Sequence, residues 1–106
     1  FIDCTGTRSL LLGEHFGIPF QSQQACLFND TALAAQVPYA DENQPIQSCT
    51  HSTAQTSGWI WDIGLPSRRG VGHVYASDFC GDDEAMATLR QYLRATGAPD
   101  GTRSAS

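Results

Sequence analysis

Two alternating stretches on either side of a short turn constrain this chain more than any other feature. Residues 53–65 alternate with period two, so a strand there places three large side chains on one face: Trp59, Trp61 and Ile63. Residues 66–70 form a turn of hairpin length, and residues 71–79 alternate again. A register centred on this turn predicts that Trp61 lies opposite Tyr75, an aromatic cross-strand pair that would stabilise the hairpin. The pattern therefore predicts an antiparallel hairpin over residues 59–79.

The last predicted element is a helix over residues 82–95. Three acids occupy its first turn and two arginines lie in its last turns, an arrangement that suits the helix dipole. Apolar residues recur along one side of it: Ala85, Met86, Leu89, Tyr92 and Leu93. Gly97 is predicted as the residue that ends the helix, and Pro99 follows it.

Shorter signals predict the remaining elements. Residues 1–4 and 32–37 are expected as strands, residues 8–16 as a helix capped by Thr7 or Ser9 and stopped by Gly17 and Pro19, and residues 41–48 as an exposed loop. We therefore expect an α+β fold, in which an antiparallel sheet carries flanking helices.

Composition excludes several classes of function. The 106 residues amount to one domain or a piece of one, and with 41% apolar residues the chain is globular. The net charge of −5 excludes a nucleic-acid partner, and no apolar run is long enough to span a membrane. All six cationic residues are arginine, so no lysine-dependent chemistry resides in this segment. The first residues carry no signal peptide, and the abrupt apolar start predicts a piece of a longer protein.

The four cysteines and the titratable clusters indicate no metal centre. No CxxC pair occurs, so free thiols in a reducing compartment are favoured over disulfides, which predicts a cytoplasmic protein. Cys49 and His51 form one close pair, whereas a metal site needs three or four ligands. The carboxylates at 82–84 are expected to stabilise the helix dipole rather than to act as general acids, and Arg68 and Arg69 to lie at a solvated hairpin tip.

Two features of the sequence can be interpreted either as structural or as functional. The strand at residues 1–4 runs into Thr5 and Gly6, which would allow close approach of the backbone to a ligand. The second feature is the spacing Trp-x-Trp-x-Ile at residues 59–63. These indoles either pack in the core or against the sheet, or form the wall of a pocket for an aromatic cofactor or substrate.

Four blocks of the sequence resemble one family, the flavin-dependent tryptophan halogenases. Residues 1–11 resemble its segment F-I-D-C-[ST]-G-x-R-x-L-L, and residues 30–38 resemble D-x-A-[LV]-A-x-x-V-P. Residues 57–63 are similar to S-G-W-x-W-x-I, and residues 72–85 to G-[HY]-V-[YF]-S-S followed by D-E-A. The blocks stand in the family's order and together cover residues 1–93.

The chain also departs from the family pattern. Gly64 stands where the signature has proline, and a proline follows at Pro66 instead. From Ala95 onward the sequence no longer resembles the family's continuation. The resemblance therefore predicts that residues 1–97 are a central fragment of a tryptophan-halogenase-like domain and that residues 98–106 are a disordered or truncated tail.

The resemblance implies a definite chemistry for the whole enzyme. Such enzymes bind FAD, which a separate flavin reductase supplies in reduced form, and oxygen gives a flavin hydroperoxide. Chloride or bromide then yields hypohalous acid, which a lysine directs to tryptophan or a related aromatic small molecule with the help of a glutamate. The resemblance carries five cofactor-binding residues over to this chain and no catalytic one: Thr5, Gly6, Trp59, Trp61 and Ile63.

The family's glycine-rich loop and lysine are expected upstream of this segment, and its glutamate downstream. We therefore predict that the isolated chain neither binds FAD tightly nor halogenates. Two alternatives stay open: a segment of an FAD-dependent monooxygenase, and a non-enzymatic interaction domain that uses an exposed aromatic face.

Overall fold

A computed structural model describes residues 1–41 and 43–98 together with the backbone of Ser104 and Ala105. Its strands are β1 Thr31–Pro38, β2 Thr50–Ala54, β3 Trp59–Gly64, β4 Arg68–Tyr75 and β5 Ser104–Ala105. They form one sheet in the order β2-β3-β4-β1-β5, and every neighbouring pair is antiparallel. The α-helix α1, Asp82–Ala95, packs on one face of this sheet. The predicted α+β class with an antiparallel sheet is confirmed.

Several predicted elements appear where the sequence placed them. Strand β1 covers the predicted strand at 32–37, and α1 has the predicted bounds. The predicted loop at 41–48 contains no helix or strand in its described residues, Glu42 lying outside them. The prediction of a disordered or truncated tail at 98–106 falls mostly outside the described residues. Ala98 packs against the core, and the backbone of β5 pairs with Ala34 and Ala35 of β1.

The core lies between α1 and the inner face of the sheet. Three helix residues four apart are buried there: Ala85, Leu89 and Leu93. Leu89 and Leu93 pack with alternate residues of three strands, Ala35, Val37, Ile60 and Val71, whereas Ala85 packs with Tyr75 and Cys80. Each fully buried leucine side chain stabilises the fold by roughly 1.5–3 kcal/mol, so this single apolar layer is the main attachment of the helix.

Polar contacts fix both ends of α1. The hydroxyl of the fully buried Tyr75 donates to a carboxylate oxygen of Asp82 at 2.7 Å. This hydrogen bond, together with burial, raises the pKa of Tyr75 to about 12, so the phenol remains a donor at neutral pH. At the other end Ala98 N–H donates to the carbonyl of Leu93, and Gly97 has φ 72°. The predicted glycine stop is therefore a Schellman cap.

The β3–β4 turn is tighter than the sequence suggested. Leu65 N–H donates to the carbonyl of Arg68 at 2.8 Å, which leaves only Pro66 and Ser67 in the loop. Trp61 consequently lies opposite Gly72, and the predicted Trp61–Tyr75 pair is wrong. The strand also ends at Tyr75, four residues before the end of the predicted alternation. Arg68 and Arg69, expected at the hairpin tip, are instead the first residues of β4.

A second hairpin interrupts the alternating run at 53–65. The chain reverses between β2 and β3, where Gln55 N–H donates to the carbonyl of Gly58 at 3.0 Å. Gly58 has φ 86°, and a Cβ built there would lie 1.9 Å from the carbonyl oxygen of Val74. The odd-numbered residues change face at this turn, since Ala54 lies opposite Trp59 and Thr53 opposite Ile60. The sequence pattern was interpreted as a single strand, and strand β2 was therefore missed.

The first residues differ most from the sequence prediction. No described strand pairs with residues 1–4, and the Asp3 side chain instead accepts from the backbone N–H of Leu11 and Leu12 at 3.0 and 3.3 Å. The predicted helix at 8–16 is a 3₁₀ turn, Gly6–Arg8, followed by a π-helix, Leu10–His15. Ser9 occupies the N-cap position of the π-helix, as one of the two predicted caps, but its side chain makes no capping hydrogen bond; the side chains of Asp3 and Thr5 accept from the first N–H groups instead. A strand requires a backbone partner, and these N-terminal residues are bonded to the helical turn that follows them.

Substitution of Gly58 by alanine tests the close approach at the β2–β3 turn. We expect Gly58→Ala to lower the free energy of unfolding by roughly 2–4 kcal/mol, because it combines a left-handed φ with a collision against rigid backbone. Gly70→Ala is the matched control, since φ there is not left-handed and a Cβ would meet nothing within 4 Å. Urea unfolding measures both changes. Equal stability of the two variants would contradict this description of the turn.

Candidate aromatic face and the polar cluster behind it

Three of the five predicted site residues lie on the face of the sheet that α1 does not cover. Opposed residues of an antiparallel pair point to the same side, and Trp59, Trp61 and Ile63 oppose Val74, Gly72 and Gly70. We call these six residues the outer face. The alternate residues of β3 and β4 point the other way, into the core, including Ile60 and Val71.

Trp61 lies flat against the sheet because glycine stands opposite it. A Cβ built on Gly72 would lie 2.2 Å from the Cζ2 and Cη2 atoms of the Trp61 ring. The Trp59 ring is inclined at 60° to the Trp61 ring, with 6.2 Å between centroids, and Trp59 is 37% exposed. The indoles therefore lie outside the core cluster, and Trp61 packs against the sheet at Gly72. They form a broad apolar surface of the kind that stacks against a planar aromatic ring.

Thr5 and Gly6, the other predicted site residues, lie in the N-terminal arm, residues 1–29. The Thr5 hydroxyl donates to the Asp3 carboxylate and accepts from the backbone N–H of Leu10 at 2.9 Å, so it is engaged locally. The hydrogen bond from Thr5 lowers the pKa of Asp3. Gly6 has φ 62°, and a Cβ there would meet nothing within 4 Å. Among the described residues, no hydrogen bond joins Thr5 or Gly6 to the outer face.

Asp30 connects the end of this arm to the sheet. Its backbone N–H donates to the carbonyl of Tyr75 at 3.2 Å. Its carboxylate accepts from the backbone N–H of Ser77 at 2.9 Å and from the Ser77 hydroxyl at 2.7 Å. These contacts with Ser77 lower the pKa of Asp30. The exposed Asp30 side chain thus joins the start of β1 to the residues that follow β4.

A buried ion pair lies on the inner face, directly behind the indoles. Asp62 of β3 pairs with Arg69 of β4, whose Nε donates to Asp62 Oδ1 at 3.1 Å. Arg69 also donates to the carbonyl and the hydroxyl of Thr96 at 3.2 and 3.0 Å, and the Tyr92 hydroxyl donates to Asp62 at 3.2 Å. The bond to Asp62 raises the pKa of Arg69, and burial followed by the Asp62 charge raises that of Tyr92.

This polar cluster corrects the prediction of a solvated tip for Arg69, because the side chains of Arg69 and Asp62 are each only 11% exposed. Sequence reasoning missed Asp62 as its partner. The position of Asp62 between Trp61 and Ile63 could have indicated this partner, because alternation in a strand places Asp62 on the opposite face from both. A cavity of about 260 Å³ adjoins the cluster, and Tyr39, Gln44, Gln47 and His51 contribute to its lining. Because Arg69 already bonds Asp62 and Thr96, the cluster attaches the end of α1 to the hairpin.

The other chemistry-bearing residues do not converge. In the part of the chain that the structure describes, no three His, Cys, Asp or Glu side chains are grouped to hold a metal ion. Cys49 Sγ lies 4.0 Å from His51 Nε2, and all four cysteines have free thiols, of which only Cys80 is buried. Likewise, no helix within the described residues has the length and apolar character needed to cross a bilayer.

Comparison with known families identifies the chain. The family model described as tryptophan halogenase matches residues 1–103, and the chain belongs to this family. The match runs past Ala95, so the expected departure from the family at that residue is wrong. Tryptophan 6-halogenase SttH of Streptomyces toxytricini is 48% identical over 93 residues, which are 88% of this chain and 18% of SttH. The 7-chloro-L-tryptophan 6-halogenase KtzR of a Kutzneria species is 47% identical over the same share of each chain. The chain thus spans about a fifth of the length of these curated relatives.

Solved structures of halogenases share the fold. The tryptophan halogenase of Shewanella frigidimarina superposes with a TM-score of 0.83 at 58% identity, covering 100% of this chain and 21% of that one. Tar14, a tryptophan C-6 flavin-dependent halogenase (chlorinase) from taromycin biosynthesis, superposes with a TM-score of 0.80 at 47% identity, over 98% and 20% of the two chains. The sheet and α1 therefore form a fold that flavin-dependent tryptophan halogenases share.

Removal of Asp62 tests the polar cluster. We expect Asp62→Ala to lower the free energy of unfolding by about 3 kcal/mol, because it leaves the Arg69 charge buried without its partner. The exposed Asp78→Ala is the control and should change stability by less than about 0.5 kcal/mol. The double variant Asp62→Leu with Arg69→Met should recover most of the loss. A double variant that is no more stable than Asp62→Ala would show that the unpaired charge is not the cause.

Proposed function

We propose that this chain is the central segment of an FAD-dependent halogenase that chlorinates or brominates tryptophan or a related aromatic small molecule. The observation that carries this proposal is the match of this whole chain, at 58% identity, to 21% of a tryptophan halogenase structure. The relatives named above are tryptophan halogenases by name. A separate flavin reductase would supply the reduced cofactor, as this class of enzyme requires. The cytoplasmic location expected from the cysteines remains a prediction.

The outer face suits the flavin part of such a cofactor. Trp59, Trp61 and Ile63 offer one apolar surface, and the glycine at 72 allows an indole to lie flat on the sheet. A planar ring system would stack there and lose contact with water. Thr5 and Gly6 would reach the cofactor through the backbone, since the Thr5 hydroxyl already has partners on either side.

The chain contributes a binding surface rather than the reacting groups. It contains no lysine, so a lysine that directs the halogenating species would come from another part of the enzyme. The reduced cofactor would supply the activation of oxygen. In the segment itself, the indoles would exclude water and orient the ring, and the polar cluster would hold the sheet behind them in place.

The chain by itself is expected neither to bind FAD at micromolar concentration nor to halogenate tryptophan. The reason is that it presents one wall of a site whose other parts lie outside this fifth of the enzyme. Titration with FAD, followed by flavin fluorescence and by quenching of the two tryptophans, measures this. Tar14 serves as the positive control, being a flavin-dependent halogenase by name. Micromolar binding by the isolated chain would contradict the prediction.

A chimera tests the proposed function itself. The corresponding fifth of Tar14 is replaced by this chain, which is 47% identical to it, and the product is assayed with reduced FAD, chloride and tryptophan. Chlorinated tryptophan is the expected result. Hydroxylated tryptophan without chlorinated product would instead support a monooxygenase. A folded chimera that no longer binds FAD would argue against a place in the cofactor site and favour an interaction surface.

A further inference from the structure

His73 is a buried polar side chain that the proposed chemistry does not use. It lies on the inner face of β4, 1% exposed, between two backbone carbonyls from different parts of the chain. Its Nε2 is 2.8 Å from the carbonyl oxygen of Ser57, in the β2–β3 turn, and its Nδ1 is 3.2 Å from that of Ala85, in α1. The imidazole therefore lies between this turn and the helix.

The chemistry of the two contacts differs. A neutral imidazole donates from one ring nitrogen only, whereas carbonyl oxygens only accept. The shorter contact assigns the proton to Nε2, which then donates to Ser57. Ala85 belongs to α1 and lies within its regular hydrogen-bonding pattern, whereas Ser57 lies in a turn outside any strand. The hydrogen bond from Nε2 to Ser57 is therefore the contact that contributes more to the local structure, because the Ser57 turn has no strand pairing of its own.

The Ser57 carbonyl immediately precedes Gly58 and Trp59, the residues at which strand β3 and its indole side chains begin. Gly58 passes so close to β4 that a Cβ would lie 1.9 Å from Val74 O, and Trp59 is the next residue. The backbone hydrogen bond from Gln55 to Gly58 closes the turn on one side. The hydrogen bond from His73 stabilises this turn from the inner side of the sheet, and the indoles lie on the opposite face.

We propose that His73 is a positioning residue for the aromatic face. By donating from Nε2 to the Ser57 carbonyl, it fixes the turn that sets the Trp59 backbone and, through it, the Trp59–Trp61 arrangement. Its relevance to catalysis rests on the proposed function, in which these indoles contact the cofactor. The positioning itself concerns this chain alone, so it can be tested without flavin.

Two isosteric variants separate the ring nitrogens. Glutamine places its amide nitrogen near the position of Nε2, and asparagine near that of Nδ1. We expect His73→Gln to retain the indole environment, and His73→Asn to shift the tryptophan emission and increase its quenching by acrylamide. Both tryptophans of the chain belong to the outer face, so the fluorescence reports on this face alone. Hydrogen exchange at the Gln55 amide should accelerate about fivefold to tenfold in His73→Asn only.

Leu89→Ala is the control for a general loss of stability, because it opens the core without touching the turn. It should lower stability and leave the emission maximum of the folded chain unchanged. Equal fluorescence of His73→Gln and His73→Asn would overturn the proposal.

A measurement on the unmodified chain remains decisive even if His73→Asn does not fold. The ¹⁵N chemical shifts of the imidazole should show a proton on Nε2 that exchanges slowly with water. An unprotonated Nε2 would overturn the proposal. Either result leaves the halogenase proposal unaffected, since that proposal is tested by the product of the chimera.

Discussion

The pairing of β3 with β4 is the constraint on which the rest of this structure depends. A two-residue loop at Pro66 and Ser67 sets Trp61 opposite Gly72, and that register sends every side chain of both strands to one face or the other. A shift by one residue in either strand would exchange its two faces, bringing one strand's buried residues into solvent. The register is thus enforced both by the turn and by the burial of the inner face.

The inner face combines an apolar layer with two buried polar residues that form hydrogen bonds to other parts of the chain. Ile60, Val71 and Leu89 supply the apolar layer, and Asp62 and His73 are the buried polar residues among them. Each polar group joins the hairpin to an element distant in sequence, as Asp62 does through Arg69 and Tyr92. Such bonds add modest net stability but are costly to break, since an unpaired partner would remain buried. Their main effect is therefore to define the position of α1 on the sheet, and their net contribution to stability is smaller.

The outer face has the opposite character, with large rings and almost no polar atoms. Glycine at 72 creates the space that the Trp61 ring occupies, and the close approach at Gly58 determines where the Trp59 strand begins. Under the proposed function, this arrangement would make the segment one wall of a site for a flat ligand. The chain contains no lysine, so under the proposed function its part would be to shape a site rather than to supply a reacting lysine.

The sequence by itself determined the class of fold, the strand at β1, the limits of α1 with its glycine stop, and the family. These are consequences of local periodicity, capping chemistry and motif order, which neighbouring residues determine. Only the tertiary structure decided the register of the hairpin, the break at Gly58, the Asp62–Arg69 pair and the side of the sheet on which the indoles stand. Those features depend on how tightly a turn closes and on which face α1 covers, and both are set by contacts between residues far apart in the chain.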